Sequence, residues 1–256
     1  MTADLTKDAW AHLRRFTPAR LALGRAGSAL PTREVLNLAL AHARARDAVH
    51  IPLDPAALEI ACRAIGFQTV RVRSAAADRS SYLRRPDFGR RLNREDAANL
   101  RPAAANYDLA IIIADGLSSS GVQRHAVPLL AVLKPLLDGV DLVLAPVAIA
   151  EQGRVALGDE IGALLGARAS LVLIGERPGL SSPDSLGAYL TFAPEIGRTD
   201  AERNCVSNIR NEGLDYETAA RRLFWLVEEA LRRGKSGVAL KDESGLQPVI
   251  GARAER

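Results

Sequence analysis

The stretch YDLAIIIADG, residues 107–116, decides the fold of this chain. Its run of β-branched and other apolar residues is typical of a strand that is buried on both faces. FQTVRVRS, residues 67–74, alternates in a way that favours another strand. Three further apolar runs follow the first one: DLVLAPVAIA (141–150), ASLVLIGE (169–176) and LGAYLTFAP (186–194).

Helical segments separate most of these predicted strands. SSSGVQRHAVPLLAVLKPLL joins the first two apolar runs, and Pro128 predicts that this helix is kinked or split. RVALGDEIGALLG joins the second run to the third, and a last helix is predicted from about 215 to 233. Strands that alternate with helices predict a parallel sheet covered on both faces. The predicted fold class is therefore α/β, with a doubly wound, mostly parallel, Rossmann-like sheet.

A smaller helical part precedes this sheet. Asp54-Pro55 predicts the start of one of its helices, with Asp54 as the cap, and Gly66 predicts its end. Residues 75–106 are polar and Arg-rich, and we expect short helices and loops there. The predicted division is a helical N-terminal part at 1–100 and a Rossmann-like domain at 101–256.

The composition excludes several classes of protein. The 256 residues carry a net charge of only +4 and 4% aromatic residues, which does not favour a nucleic-acid partner. No run reaches the roughly eighteen apolar residues that cross a bilayer. With two cysteines and no signal sequence, we expect a cytoplasmic protein with reduced thiols.

Ligands of open parallel sheets bind beyond the carboxyl ends of the strands. That rule selects three places: residues 115–118, the turn after 150, and residues 175–179. Phosphate-binding glycine motifs and the G-x-S-x-G elbow of serine hydrolases are absent from the sequence. The four histidines lie at no metal-ligand spacing, so no metal site is predicted. Residues 115–118 are equally consistent with a strand-to-helix turn in which a serine caps the helix.

Two further stretches stand out. Glu176 follows a buried strand in GERPG, and a carboxylate there needs hydrogen-bond donors from a ligand or from the chain itself. An internal contact with Arg177, or a cap on a neighbouring helix, is an equally good interpretation. Cys205, in ERNCVSNIR, has no base near it in the sequence, which favours a small buried thiol that packs against apolar surface over a nucleophile.

Several of these stretches together resemble the small subunit of ethanolamine ammonia-lyase. The resemblance rests on segments that follow one another from about residue 16 to 242. They are FTPARLALGRAGSALPTREVLNLALAHARARDAVH, ADGLSSSGVQRHAVPLL, GRVALGDEIG, LIGERPGLSSPDSLGAYLTF, RTDAERNCVSNIR and SGVALKD.

The resemblance implies an adenosylcobalamin-dependent lyase that converts ethanolamine to acetaldehyde and ammonia. It implies a large TIM-barrel subunit as partner, six copies of each subunit, and a cobalamin that lies between the two chains. Residues 1–100 would then dock the partner, and residues 101–256 would cover the cobalamin.

The family's cofactor contacts correspond to Val155, Glu176 and Cys205. No catalytic residue is assigned to this chain. The D-x-H-x-x-G motif of base-off cobalamin domains is absent from the sequence, which agrees with the base-on binding that the family implies. Some family members also carry a longer N-terminal extension that directs them to a bacterial microcompartment. The helix predicted at 8–16 is a candidate for that role or for packing on the partner.

Two other interpretations remain open at the level of the sequence. The chain could be a stand-alone α/β enzyme that uses Asp115, Ser118 or Glu176 on a small polar substrate. It could also be an adaptor whose Arg-rich residues 84–101 dock onto an acidic surface.

Overall fold

The computed structural model describes residues 5–100 and 106–245. The end of the Arg-rich region at residue 101, and residues 101–105 of the predicted loop segment, lie outside the described residues. The N-terminal strands β1 (Leu5–Thr6) and β2 (Arg25–Ala26) form a small antiparallel pair.

A six-stranded sheet forms the centre of the molecule, with the strand order β3-β5-β4-β6-β7-β8. The first three pairings are parallel, whereas β6–β7 and β7–β8 are antiparallel. Its strands are β3 (Thr69–Arg73), β4 (Tyr107–Ala114), β5 (Val147–Glu151), β6 (Ala167–Gly175), β7 (Leu186–Phe192) and β8 (Arg203–Ile209). The predicted α/β class is confirmed, and the sheet is mixed, with three parallel and two antiparallel pairings. A Rossmann-like, doubly wound arrangement is therefore not established.

Seven α-helices lie among the described residues. They are α1 (Thr32–His50), α2 (Pro55–Ala64), α3 (Arg79–Arg84), α4 (Arg94–Asn99), α5 (Ser119–Asp138), α6 (Leu157–Leu165) and α7 (Tyr216–Arg233). The start of α2 is as predicted, because the Asp54 side chain accepts a hydrogen bond from the Ala57 N–H at 3.0 Å. The predicted helix at 8–16 is a shorter 3₁₀ helix, Ala11–Phe16.

Of the predicted kink or split at Pro128, the split is wrong, since α5 is one element with Pro128 and Pro135 inside it. The kink stays a prediction. Each proline removes a hydrogen bond to the carbonyl four residues earlier. Those carbonyls belong to Arg124 and Ala131, which are exposed and therefore accessible to water. The opposite side of α5 buries leucines in the core, so tertiary packing holds the helix together.

The apolar core lies on both faces of the sheet. On one face, odd-numbered residues of β4 pack with α2, α5 and α7. On the other face, even-numbered residues of β4 pack with α6 and with the segment that contains Leu92 and Leu100. Strand β3, from the predicted N-terminal part, is an edge strand of this same sheet. The predicted division at residue 100 stays a prediction.

The carboxyl ends of β4 and β6 touch each other. The chain leaves β4 through α5 to β5 on one side and returns through α6 to β6 on the other side of β4. At this junction a Cβ atom on Gly175 would overlap the Ser118 carbonyl oxygen, and a Cβ atom on Gly116 would overlap the Gly175 carbonyl oxygen. Gly116 also has a φ of +56°, which favours glycine.

We expect Gly175→Ala to lower the free energy of unfolding by about 3 kcal/mol, because the new methyl group meets backbone that cannot move aside. Gly179→Ala is the matched control in the next turn, where a Cβ atom would lie 3.6 Å from the nearest atom. Urea unfolding of both variants tests this expectation. Equal stability of the two variants would show that the contact between β4 and β6 is not tight.

Candidate functional site

The first predicted ligand position, residues 115–118, is filled by the chain itself. The Leu117 N–H donates to the Gly175 carbonyl at 3.0 Å. Ser118 is fully buried, its side chain accepts from the Gly121 N–H, and its hydroxyl donates to the Pro183 carbonyl at 2.9 Å. Ser118 is therefore a helix cap, and no ligand fits between the ends of β4 and β6.

Asp115 is buried in this junction and is fully engaged. Its carboxylate accepts from the Gly153 N–H at 2.8 Å, from the Gln152 N–H at 3.0 Å and from the Arg79 guanidinium at 3.2 Å. Burial raises the pKa of Asp115 to about 6, against the lowering effect of Arg79 and the backbone donors. The carboxylate thus connects the end of β4 to the turn after β5 and to α3, which is a structural role.

Glu176 points away from this closed junction. Its backbone N–H donates to the Ser185 carbonyl at 3.0 Å, which extends the β6–β7 pairing by one residue. Its side-chain Oε2 accepts from the Asn208 N–H at 3.1 Å. Among the described residues it forms no ion pair with Arg177, so that sequence alternative is wrong. Gly187 leaves space beside the carboxylate, since a Cβ atom there would lie 3.1 Å from Oε1.

Tyr189 lies next to Cys205 on the sheet and near the Glu176 carboxylate, since both side chains lie against Gly187. Tyr189 and Cys205 are register partners on β7 and β8, on the same face of the sheet as α6. Burial, Cys205 and Glu176 together raise the pKa of the Tyr189 hydroxyl. Burial also raises the pKa of the Cys205 thiol, against a smaller lowering effect of Tyr189. A thiol with a raised pKa is a poor nucleophile, as predicted. Cys205 is nevertheless exposed at the surface of β8, so the prediction that it is a buried packing thiol is wrong.

Val155 lies at the start of α6, on the same face as Tyr189. It is half-buried, and both residues pack against the core beneath α6. Val155 also lines a surface cavity of about 610 Å³. The structure therefore places Glu176 and Cys205 on either side of Tyr189, and Val155 packs against the same core as Tyr189.

Comparison with known proteins identifies the family. The sequence model of the family described as ethanolamine ammonia-lyase light chain (EutC) matches residues 7–241. The ethanolamine ammonia-lyase small subunit of Azotobacter vinelandii is 57% identical over 251 residues, which cover 96% of this chain and 93% of that protein. The chain belongs to the ethanolamine ammonia-lyase light chain family. The small subunit of Xanthomonas campestris is 56% identical, over 96% of this chain and 91% of that protein. The resemblance predicted from the sequence is confirmed.

The structure of this light-chain family member adds two residues that sequence reasoning missed. Tyr189 is the register partner of Cys205, and its ring lies against Gly187 beside the Glu176 carboxylate. Asn208 holds the Glu176 carboxylate through its backbone N–H. Asn208 has a φ of +57°, a left-handed conformation that asparagine tolerates better than most residues. The alternation in LGAYLTF was a usable signal for Tyr189, whereas nothing in the sequence marks the register shift of the β7–β8 pairing next to Asn208.

The open face of this light-chain family member carries acceptors and apolar surface. We find no group of three His, Cys, Asp or Glu side chains that could hold a metal ion within residues 5–100 and 106–245. Nor is any helix in that part of the chain long and apolar enough to cross a membrane. The face offers one carboxylate, that of Glu176, and mostly apolar contact from Tyr189, Cys205 and Val155. Such a set can bind a large ligand that donates hydrogen bonds.

We expect the pH dependence of stability to reveal the structural role of Asp115. Its pKa of about 6 in the folded chain exceeds its ordinary value of 3.8. Its contribution to the free energy of unfolding is therefore full below about pH 4 and is lost as the pH rises through 6. Asp115→Asn removes that decline, which amounts to about 2–3 kcal/mol.

Chemical unfolding between pH 4 and 7 measures the slope of the free energy of unfolding against pH. Asp215→Asn is the control, because Asp215 caps α7 and its pKa is lowered by hydrogen bonds from Thr218. That group loses its contribution only as the pH falls below its ordinary range, so the control keeps the slope between pH 4 and 6. An unchanged slope in Asp115→Asn would contradict the assignment.

Proposed function

We propose that this chain is the small subunit of an adenosylcobalamin-dependent ethanolamine ammonia-lyase and helps to hold cobalamin at an interface with a large catalytic subunit. The family membership supports a lyase of two kinds of subunit. The observation that carries the cofactor role is the open face around Tyr189, which has binding groups but no nucleophile–base pair. Catalysis is therefore assigned to the partner, and this chain alone is expected to be inactive.

The residues on this face fit the chemistry of a corrinoid. The rim of the corrin ring carries amide groups, and the lower nucleotide carries hydroxyls, so both can donate to a carboxylate. Oε2 of Glu176 is held by Asn208, while Oε1 has no hydrogen-bond donor among the described residues, and the side chain is only half-buried. Val155, Cys205 and Tyr189 supply apolar contact, at about 25 cal/mol per Å² of buried apolar surface.

The chain's own contribution is binding, orientation and exclusion of water. The cofactor, when bound, supplies radical chemistry through its cobalt–carbon bond. Glu176 would fix the orientation of the ligand, and the β7–β8 face would keep water from one side of it. Base-on binding is part of the proposal. So are a TIM-barrel partner, six copies of each subunit and packaging in a bacterial microcompartment.

The stand-alone enzyme is the less favoured function. Asp115 and Ser118 are buried and engaged with the chain's own atoms, so neither is accessible to a substrate. Of the three residues that this alternative used, only Glu176 is exposed enough to meet a ligand.

We expect Glu176→Ala to raise the Kd for cobalamin in the two-chain complex by roughly tenfold or more, the usual cost of losing a hydrogen bond to a charged group. Glu176→Gln retains an acceptor for the Asn208 N–H and is expected to show a smaller loss. Glu217→Ala is the control, since Glu217 is exposed on α7, which covers the opposite face of the sheet. Visible absorption titration measures all three.

Reconstitution tests the wider proposal. Acetaldehyde should form from ethanolamine only when both purified chains and adenosylcobalamin are present. Turnover by this chain alone would contradict the proposal. So would equal cobalamin affinity in the unchanged complex and in Glu176→Ala.

A further inference from the structure

The cavity beside Val155 has arginines as five of its eleven lining residues. It crosses the start of α6 and is bounded on its two sides by residues 90–91 and by residues 196–200. Its charged lining residues are Arg90, Arg91, Arg154, Arg198, Arg203 and Asp200. Five guanidinium groups around one cavity give it a positive potential unless carboxylates compensate each of them.

Carboxylates compensate three of these arginines. Arg203 is buried and forms two hydrogen bonds to Asp159, at 2.6 and 2.7 Å. Arg198 lies 2.6 Å from Glu202, and Arg91 lies 3.3 Å from Glu160. The charges of these three arginines are therefore compensated by ion pairs within the fold.

Arg90 and Arg154 have no carboxylate partner among the described residues. Arg90 is exposed. Arg154 is held in place by the Tyr82 ring, 4.4 Å from its guanidinium carbon, and by a hydrogen bond to the Tyr82 carbonyl. Its Nε atom is buried and has no hydrogen-bond acceptor within the described part of the chain. Two uncompensated charges and one unsatisfied donor make this end of the cavity suitable for an anion.

We propose that the Arg90–Arg154 end of this cavity binds the phosphodiester of the cobalamin nucleotide loop. This inference rests on the proposed function, because Val155 lines the same cavity and is one of the three expected cofactor contacts. Cobalamin carries one phosphodiester anion between its corrin side chain and its lower base. Guanidinium groups suit such an anion because they offer several donors in a planar arrangement. The corrin would then lie towards Glu176 and Cys205.

The test uses the complete two-chain complex and three ligands. Cyanocobalamin has the phosphodiester and the base, cobinamide phosphate has a phosphate without the base, and dicyanocobinamide has neither. The double variant Arg90→Gln with Arg154→Gln should raise the Kd roughly tenfold for the two phosphate-bearing ligands and leave dicyanocobinamide unchanged. Arg90→Gln alone should show a smaller loss of the same kind. It disturbs no contact of the described fold.

Arg222→Gln is the matched control, because Arg222 is exposed on α7, on the opposite face. An equal loss for all three ligands would overturn the assignment, since the arginines would then support the fold or the corrin. Unchanged affinity for every ligand would overturn it as well. If the arginine variants leave the Kd of every ligand unchanged while Glu176→Ala still weakens binding, the proposed function stands and only this assignment fails. If the unchanged complex does not bind cobalamin, both fail.

Discussion

Direct contact between the carboxyl ends of β4 and β6 is the constraint on which the rest of the structure depends. Only glycine fits at residues 116 and 175, and the Asp115 carboxylate fastens the same end of β4 to the turn after β5. Ligands of open parallel sheets usually bind where two strand ends separate. Here that place is closed, so the β4–β6 junction itself leaves no room for a ligand.

Two antiparallel strands create an open outer face of the sheet. Strands β7 and β8 extend the sheet beyond β6, and Cys205 and Ser207 of β8 stay exposed. The buried pair of Asp159 and Arg203 ties α6 to β8 at one end of this face. Glu176 is held at the other end by Asn208. A face of this kind, with one half of a binding surface, suits a chain that shares its ligand with another subunit.

The sequence predicted the buried strands well because a short, continuous apolar run such as residues 107–114 is typical of a strand that is covered on both faces. Strand β8 was missed because only Arg203, Val206 and Ile209 of it are buried, and its polar residues line the open face. The closed junction could not be predicted, since it depends on a backbone approach between Gly116 and Gly175, which are far apart in sequence. The three residues proposed to contact the cofactor came from family resemblance, whereas Tyr189 and Asn208 required the fold.

Alkylation of Cys205 tests the central claim most directly, because the claim places cobalamin over the exposed face of β8. Cys205 is exposed, and the buried Cys62 of the same chain serves as an internal control. Iodoacetamide is added to the two-chain complex with and without cyanocobalamin, and mass spectrometry follows each cysteine of this chain. We predict that cyanocobalamin slows modification of Cys205 and leaves Cys62 unmodified in both samples. Equal rates at Cys205 with and without cyanocobalamin would contradict the claim.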